Sequence, residues 1–313
     1  MLNDANETRE YLRFDELANL TVPTPNSMLI TAPPPIHRSG TCGTDTERSG
    51  TGMTEQQYSP AEVGAMYDIF TDPLAQGLGG NLHFGYWESE KDDSPIETAT
   101  DRLTDLVADR LALAGPGRVL DVGCGSGRAS VQISTDRGLQ VIGITVSDHQ
   151  LQLARARPQD EGLPGRASFH LADAMELSFE DSSFDGAYAI ESILHMQDKN
   201  AVFGHLARVL RPGARLVVAD FYQDGEINSF DLSFSTAEMY QEYVHRAGLR
   251  LVEFTDVREN VQRSYNNIAA AFRQAAPTCS GEASSHLTAA ADLAEQLSVH
   301  PQIGYMLLTA VRP

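Results

Sequence analysis

The sequence is short of positive charge: 23 lysines and arginines stand against 43 aspartates and glutamates, a formal net charge of −20. Such a surface repels phosphate backbones and anionic headgroups, so nucleic acid and membrane surfaces are excluded as partners. No apolar run approaches bilayer length and no basic-then-apolar leader opens the chain, so a cytoplasmic protein is expected. Cysteine is scarce too. Cys42, Cys124 and Cys279 are far apart and form no Cys-x-x-Cys pair, so no structural disulfide and no metal centre are expected. Two phosphate-binding signatures are also missing. The chain has neither Gly-x-Gly-x-x-Gly after its first strand nor a loop ending in Gly-Lys-Ser or Gly-Lys-Thr.

What stands in their place is Leu120-Asp121-Val122-Gly123-Cys124-Gly125-Ser126-Gly127, an apolar strand running into a Gly-x-Gly-x-Gly turn and then a helix-like stretch. The glycines let a ligand approach the backbone closely. Asp121, two residues before the turn, suits a ligand with positive charge rather than a phosphate. This stretch resembles the class I, Rossmann-like S-adenosylmethionine-dependent methyltransferases. The resemblance implies S-adenosyl-L-methionine as cofactor, S-adenosyl-L-homocysteine as product, and Asp121, Gly123, Gly125 and Gly127 beside them.

A chain of 313 residues can bury a full core. Residues 1–56 read as an N-terminal extension: a short helix over 7–20 carrying Tyr11, Phe14, Leu17 and Leu20, then a Thr/Pro/Ser/Gly-rich linker. Either the helix docks on its own subunit or on a neighbour in a homo-oligomer, or the segment is an ornament preceding a start at Met53. Residues 57–114 form a helical and aromatic lid, with helices over 58–76 and 96–113 flanking the aromatic run Asn81 to Trp87. From Arg118 strands and helices alternate, with strands at 118–122, 140–146, 167–172, 184–190 and 214–221 and helices at 126–135, 147–156 and 199–210. This predicts an α/β fold, a doubly wound, mostly parallel seven-stranded sheet, with the cofactor-binding core at 115–222. Residues 223–313 supply a helix at 235–247, a strand at 249–257, two helices at 259–276 and 282–297 forming an acceptor-binding cap, and a last strand at 304–311.

Ligands of such a sheet lie at the carboxyl ends of its strands. There the second strand carries Thr145 where ribose-binding proteins often place a carboxylate, and the amide of Gln150 could make the ribose contact instead. After the third strand, Asp173 could accept from an adenine amino group, with Ala174 and Met175 against the ring. The fourth strand ends in Glu191, Leu194 and His195, and histidine suits proton acceptance near neutral pH. Asp220, ending the fifth strand, could orient His195 or bind an acceptor hydroxyl. Tyr67, Tyr86 and Trp87 are candidate walls of an acceptor pocket.

Tyr67 to Pro73, Asn81 to Trp87, the glycine turn, Ala172 to Met175, Glu191-Ser192 with His195-Met196, Leu210 to Gly213 and Ala219 to Phe221 together resemble the rebeccamycin sugar O-methyltransferase group of actinomycete natural-product enzymes. That resemblance implies cofactor contacts from His83, Phe84, Gly123 and Gln150, and acceptor deprotonation by His195 with Asp220. Leu194 replaces the first of two adjacent histidines, which makes the pocket more apolar and leaves sugar recognition behind.

The function expected is methyl transfer to a hydroxyl of a small, largely apolar metabolite. The alternative is C-methylation of a prenyl alkene or electron-rich ring, with Glu191, Tyr67, Tyr86 and Tyr188 stabilising a cation. A non-catalytic scaffold would show an eroded glycine turn, and a dehydrogenase would show the dinucleotide fingerprint. Neither feature is present.

Overall fold

The computed structural model describes residues 59–160, 166–225 and 234–313. The helix expected over 7–20 and its linker lie outside them. The described residues form a seven-stranded sheet in the order β3-β2-β1-β4-β5-β7-β6. Its strands are β1 Arg118–Val122, β2 Gln140–Thr145, β3 Ala167–Leu171, β4 Phe184–Ile190, β5 Leu210–Gln223, β6 Arg250–Asp256 and β7 Ile303–Val311. β1 to β5 are parallel, and β7 runs antiparallel between β5 and β6. β1, β4 and β7 are buried almost throughout, the signature of a sheet covered on both faces.

The helices are α1 Pro60–Gly77, α2 Ile96–Arg110, α3 Arg128–Arg137, α4 Asp148–Asp160, α5 Lys199–Val209, α6 Ala237–Arg246, α7 Arg263–Ala275 and α8 Glu282–Ser298. α1 starts where Ser59-Pro60 predicts. The Ser59 hydroxyl accepts from Glu62 N while the Glu62 carboxylate accepts from Ser59 N, a reciprocal cap. One large cluster joins α1, α2, α7 and α8 to one sheet face, and a second joins α5 and α6 to the other.

Two elements differ from expectation. The fifth strand, expected over 214–221, begins at Leu210 with a bulge at Pro212-Gly213: Leu210 pairs with Phe184, and pairing resumes at Arg215 with Gly186. The helix expected over 259–276 is a short turn at Arg258–Val261 followed by α7. α7 and α8 also pack behind α1, with Phe272 against Phe70, rather than lining the ligand cleft. No helix among the described residues is long and apolar enough to cross a membrane.

Candidate active site

A cleft of about 990 Å³, mouth included, opens at the carboxyl ends of β1, β2 and β4 and is walled on one side by α1.

The glycine turn forms its floor. Gly123 has φ +79°, and a Cβ there would sit 2.3 Å from Cβ of Ser192, so both backbone conformation and the neighbouring chain require glycine. Gly123, Cys124, Gly125 and Ser126 face the cleft. Gly127 does not: it enters α3 in the left-handed region, packed on Phe169 and Ala154, and its role is to bring helix and strand together. Asp121 lies beneath the turn, 3 % exposed, accepting from the hydroxyls of Ser130 (2.5 Å) and Tyr188 (2.8 Å). Burial pushes its pKa up to about 6, against the pull of those two hydrogen bonds.

At the end of β2 the Thr145 hydroxyl donates to Gln150 Oε1 (2.8 Å), and Gln150 Nε2 donates to the hydroxyl of Thr71 on α1 (3.3 Å). Ser147 donates to Asp68 of the same helix (2.6 Å). Thr145 and Gln150 therefore face the cleft and also fasten α1 over it. Asp173 caps a short 3₁₀ turn through the N–H of Met175, and Asp173, Ala174 and Met175 all reach the cleft wall.

His83 lines the cleft with both ring nitrogens engaged. A carbonyl can only accept, so Nδ1–H donates to Phe84 O (2.9 Å), and the Thr104 hydroxyl donates to Nε2 (3.1 Å). Burial lowers its pKa to about 4, so the ring is neutral. Phe84, Tyr86 and Trp87, expected at the ligand, are not in the cleft wall. Phe84 packs in an aromatic cluster with Phe221, Tyr265 and Tyr305, and Trp87 is 4 % exposed with its indole N–H donating to Ser94 O and Arg263 over its face. The glycines around them carry the chain across α2, and the rings fill the space beneath it.

Glu191 is the hinge between that cluster and the cleft. Its φ is +48°, a strained setting for a side-chain-bearing residue, and its Oε1 accepts from Phe84 N (2.7 Å) and the Tyr305 hydroxyl (2.8 Å). Burial pushes its pKa up to about 8. His195 projects into the cleft from a 3₁₀ turn over Ile193–His195, its Nε2 2.6 Å from the phenolic oxygen of Tyr67 on α1. Burial, then the nearby Lys199 ammonium, lower its pKa to about 4. Burial holds the Tyr67 phenol well above its ordinary value, so Tyr67 donates and Nε2 accepts.

Asp220 makes no hydrogen bond to the imidazole of His195. It is fully buried below the turn, accepting from Leu194 N (3.0 Å) and Phe221 N (2.8 Å), with burial raising its pKa to about 7, and it holds the turn's backbone rather than the imidazole. Leu194 packs into the core rather than the cleft wall. Pro60, Val63, Leu82, Arg128, Ser192 and Met196 also line the cleft, although the sequence singled out none of them as a contact. Among the described residues no group of three His, Cys, Asp or Glu side chains is placed to hold a metal ion.

A family model described as a methyltransferase domain matches residues 120–218. The chain is 38% identical over 267 residues to the O-methyltransferase resE of Aspergillus sclerotiorum, covering 82% of this chain and 98% of that one. It is 35% identical over 273 residues to the 27-O-demethylrifamycin SV methyltransferase of Amycolatopsis mediterranei, with coverage of 82% and 98%. Among solved structures, the (4+2) cyclase SpnF superposes with a TM-score of 0.75 at 33% identity, over 82% of this chain and 98% of that one.

Proposed function

Since the chain belongs to the class I S-adenosylmethionine-dependent methyltransferases, we propose that it O-methylates a hydroxyl of a small, largely apolar secondary metabolite. The observation that carries this reading is a single cleft lined both by the glycine turn and by a neutral His195. The donor set fits the cofactor. Asp173 faces the cleft together with Asp121 and Glu191, whose raised pKa values a bound cation would bring down, whereas the one arginine among the described lining residues, Arg128, is paired with Asp101 at 2.9 Å. That lining attracts a cation and rejects a phosphate. Gly123 and Gly125 would hold the cofactor's chain, Gln150 and Thr145 its ribose, and Asp173 with Ala174 and Met175 its base.

When bound, S-adenosylmethionine supplies an electrophilic methyl group. The chain's residues align the acceptor, exclude water through α1 and remove a proton. The acceptor hydroxyl would take the place of the Tyr67 phenol at His195 Nε2 and give its proton to that nitrogen, while the methyl group would exchange its bond to sulfur for one to the acceptor oxygen, leaving S-adenosylhomocysteine. Base assistance of this kind contributes roughly 10²- to 10⁴-fold.

Calorimetric titration tests the cofactor first: micromolar binding of S-adenosylmethionine and none of NADH is expected. A folded protein that ignores S-adenosylmethionine overturns the assignment. Hydroxylated metabolites are then screened with methyl-labelled cofactor. His195→Ala should retain cofactor affinity and lose activity by roughly the factor above, and full activity in that variant removes the base role.

C-methylation of an uncharged alkene is the second reading, favoured by Glu191, whose carboxyl in the cleft could steady a cation. The position of the labelled carbon, read by NMR, separates the two. Prenyl diphosphates should fail as acceptors, because among the described residues no unpaired arginine lines the cleft.

A further inference from the structure

Lys199, the first residue of α5, stands outside the cleft wall, yet its ammonium reaches back to the turn that carries His195. Nζ donates to Met196 O at 3.0 Å and to Leu194 O at 3.4 Å, the carbonyls on either side of His195. From the opposite side Asp220 accepts from Leu194 N at 3.0 Å. One peptide turn is thus held by a cation on its carbonyls and a carboxyl oxygen on its N–H, with the imidazole between. We propose that Lys199 is a positioning residue: it and Asp220 clamp the His195 turn so that Nε2 is presented to the acceptor.

Helix stability does not account for a lysine here. A cation in the first turn opposes the helix dipole, and the helix already has its cap, since Asp198 accepts from Ala201 N at 2.9 Å. Lysine at this position costs the helix something, and its bonds to the turn offset that cost. Among the described residues the charged and titratable groups around His195 are Tyr67 on α1, Glu191 at the end of β4, Asp220 on β5 and Lys199 itself. Among them Lys199 is the one cation, so it disfavours a proton on His195 at rest and keeps Nε2 open.

This inference rests on His195 acting as the base, but its test does not require turnover. The imidazole of His195 is followed by ¹⁵N NMR in the full-length protein bound to S-adenosylhomocysteine, with the signal assigned by its loss in His195→Gln. In Lys199→Met the His195 titration should move up by roughly 1 pH unit, since the nearby positive charge is gone. The Nε2 shift at neutral pH should also show the bond from Tyr67 weakened. Lys199→Arg, whose fork can still donate to two carbonyls, should restore both signals, and melting of Lys199→Met should be unchanged or slightly raised. An unmoved His195 titration and Nε2 shift in Lys199→Met overturn the clamp, as does a failure of Lys199→Arg to restore them. If the NMR signals respond while His195→Ala stays fully active, the clamp stands and the base assignment falls.

Discussion

The phenolic oxygen of Tyr67 lies 2.6 Å from Nε2 of His195, although 128 residues of chain separate them. The helix that covers the cleft therefore occupies the nitrogen that an acceptor would reach under the proposed base role. Removing the phenolic oxygen leaves the imidazole without its donor at rest and the acceptor without a competitor. Tyr67→Phe is expected to lower kcat roughly 10-fold through looser placement of His195 while cofactor affinity stays within about twofold. Steady-state kinetics beside calorimetry decide it: a loss confined to cofactor binding would mean that Tyr67 serves α1 docking instead.

Glu191 makes stability depend on pH. Its folded pKa of about 8 lies above the ordinary 4.5, so the folded state keeps a proton that the unfolded chain releases. That contribution is complete below about pH 4.5 and is lost as pH rises to 8. Asp220, at about 7, and Asp121, at about 6, act in the same direction. His83 and His195, lowered to about 4, act oppositely, losing stability as pH falls from 6.5 towards 4. Above pH 6.5 only the carboxyls remain in play, so the melting temperature of the ligand-free protein should fall between pH 6.5 and 8. Glu191→Gln should flatten that fall, and parallel curves for the two proteins would refute the role given to Glu191.

Gly123→Ala should destabilise the fold by more than about 2 kcal/mol and abolish cofactor binding, because the added carbon meets Ser192 in a left-handed backbone. Urea denaturation gives the first number and calorimetry the second. An unchanged midpoint would contradict the conformation described for the turn.

Trp87 is the chain's one tryptophan and is buried away from the cleft. Its emission maximum should not move when S-adenosylmethionine binds and should shift red only on unfolding. Trp87→Phe should lose stability but keep its cofactor affinity. A ligand-induced shift would return the aromatic run to the binding site.

The sheet was legible because its signals are local: alternating strand and helix periods and a glycine turn between two of them. The helix at 60–77 began where Ser59 and Pro60 announce it. What residue types could not reveal is which way each side chain of a glycine-rich segment points. Of Asn81 to Trp87, Asn81, Leu82 and His83 face the cleft while Phe84, Tyr86 and Trp87 turn into the core. Asp220 had the right strand end but the wrong partner, since the peptide N–H of Leu194 lies closer than any reading of side chains suggests. Arg128 and Met196 reach the cleft only through the packing of α3 and the turn after β4, a matter of tertiary contact rather than pattern.

β7 lies between β5 and β6 and supplies Tyr305, whose hydroxyl bonds Glu191. Synthesis runs the other way, making β5 and β6 before the strand that joins them. A nascent chain lacking Ile303–Val311 has β5 and β6 with no partner between them and a cleft carboxyl missing one of its two donors. During translation the chain therefore exposes open strand edges, the state most prone to mispairing, until β7 emerges.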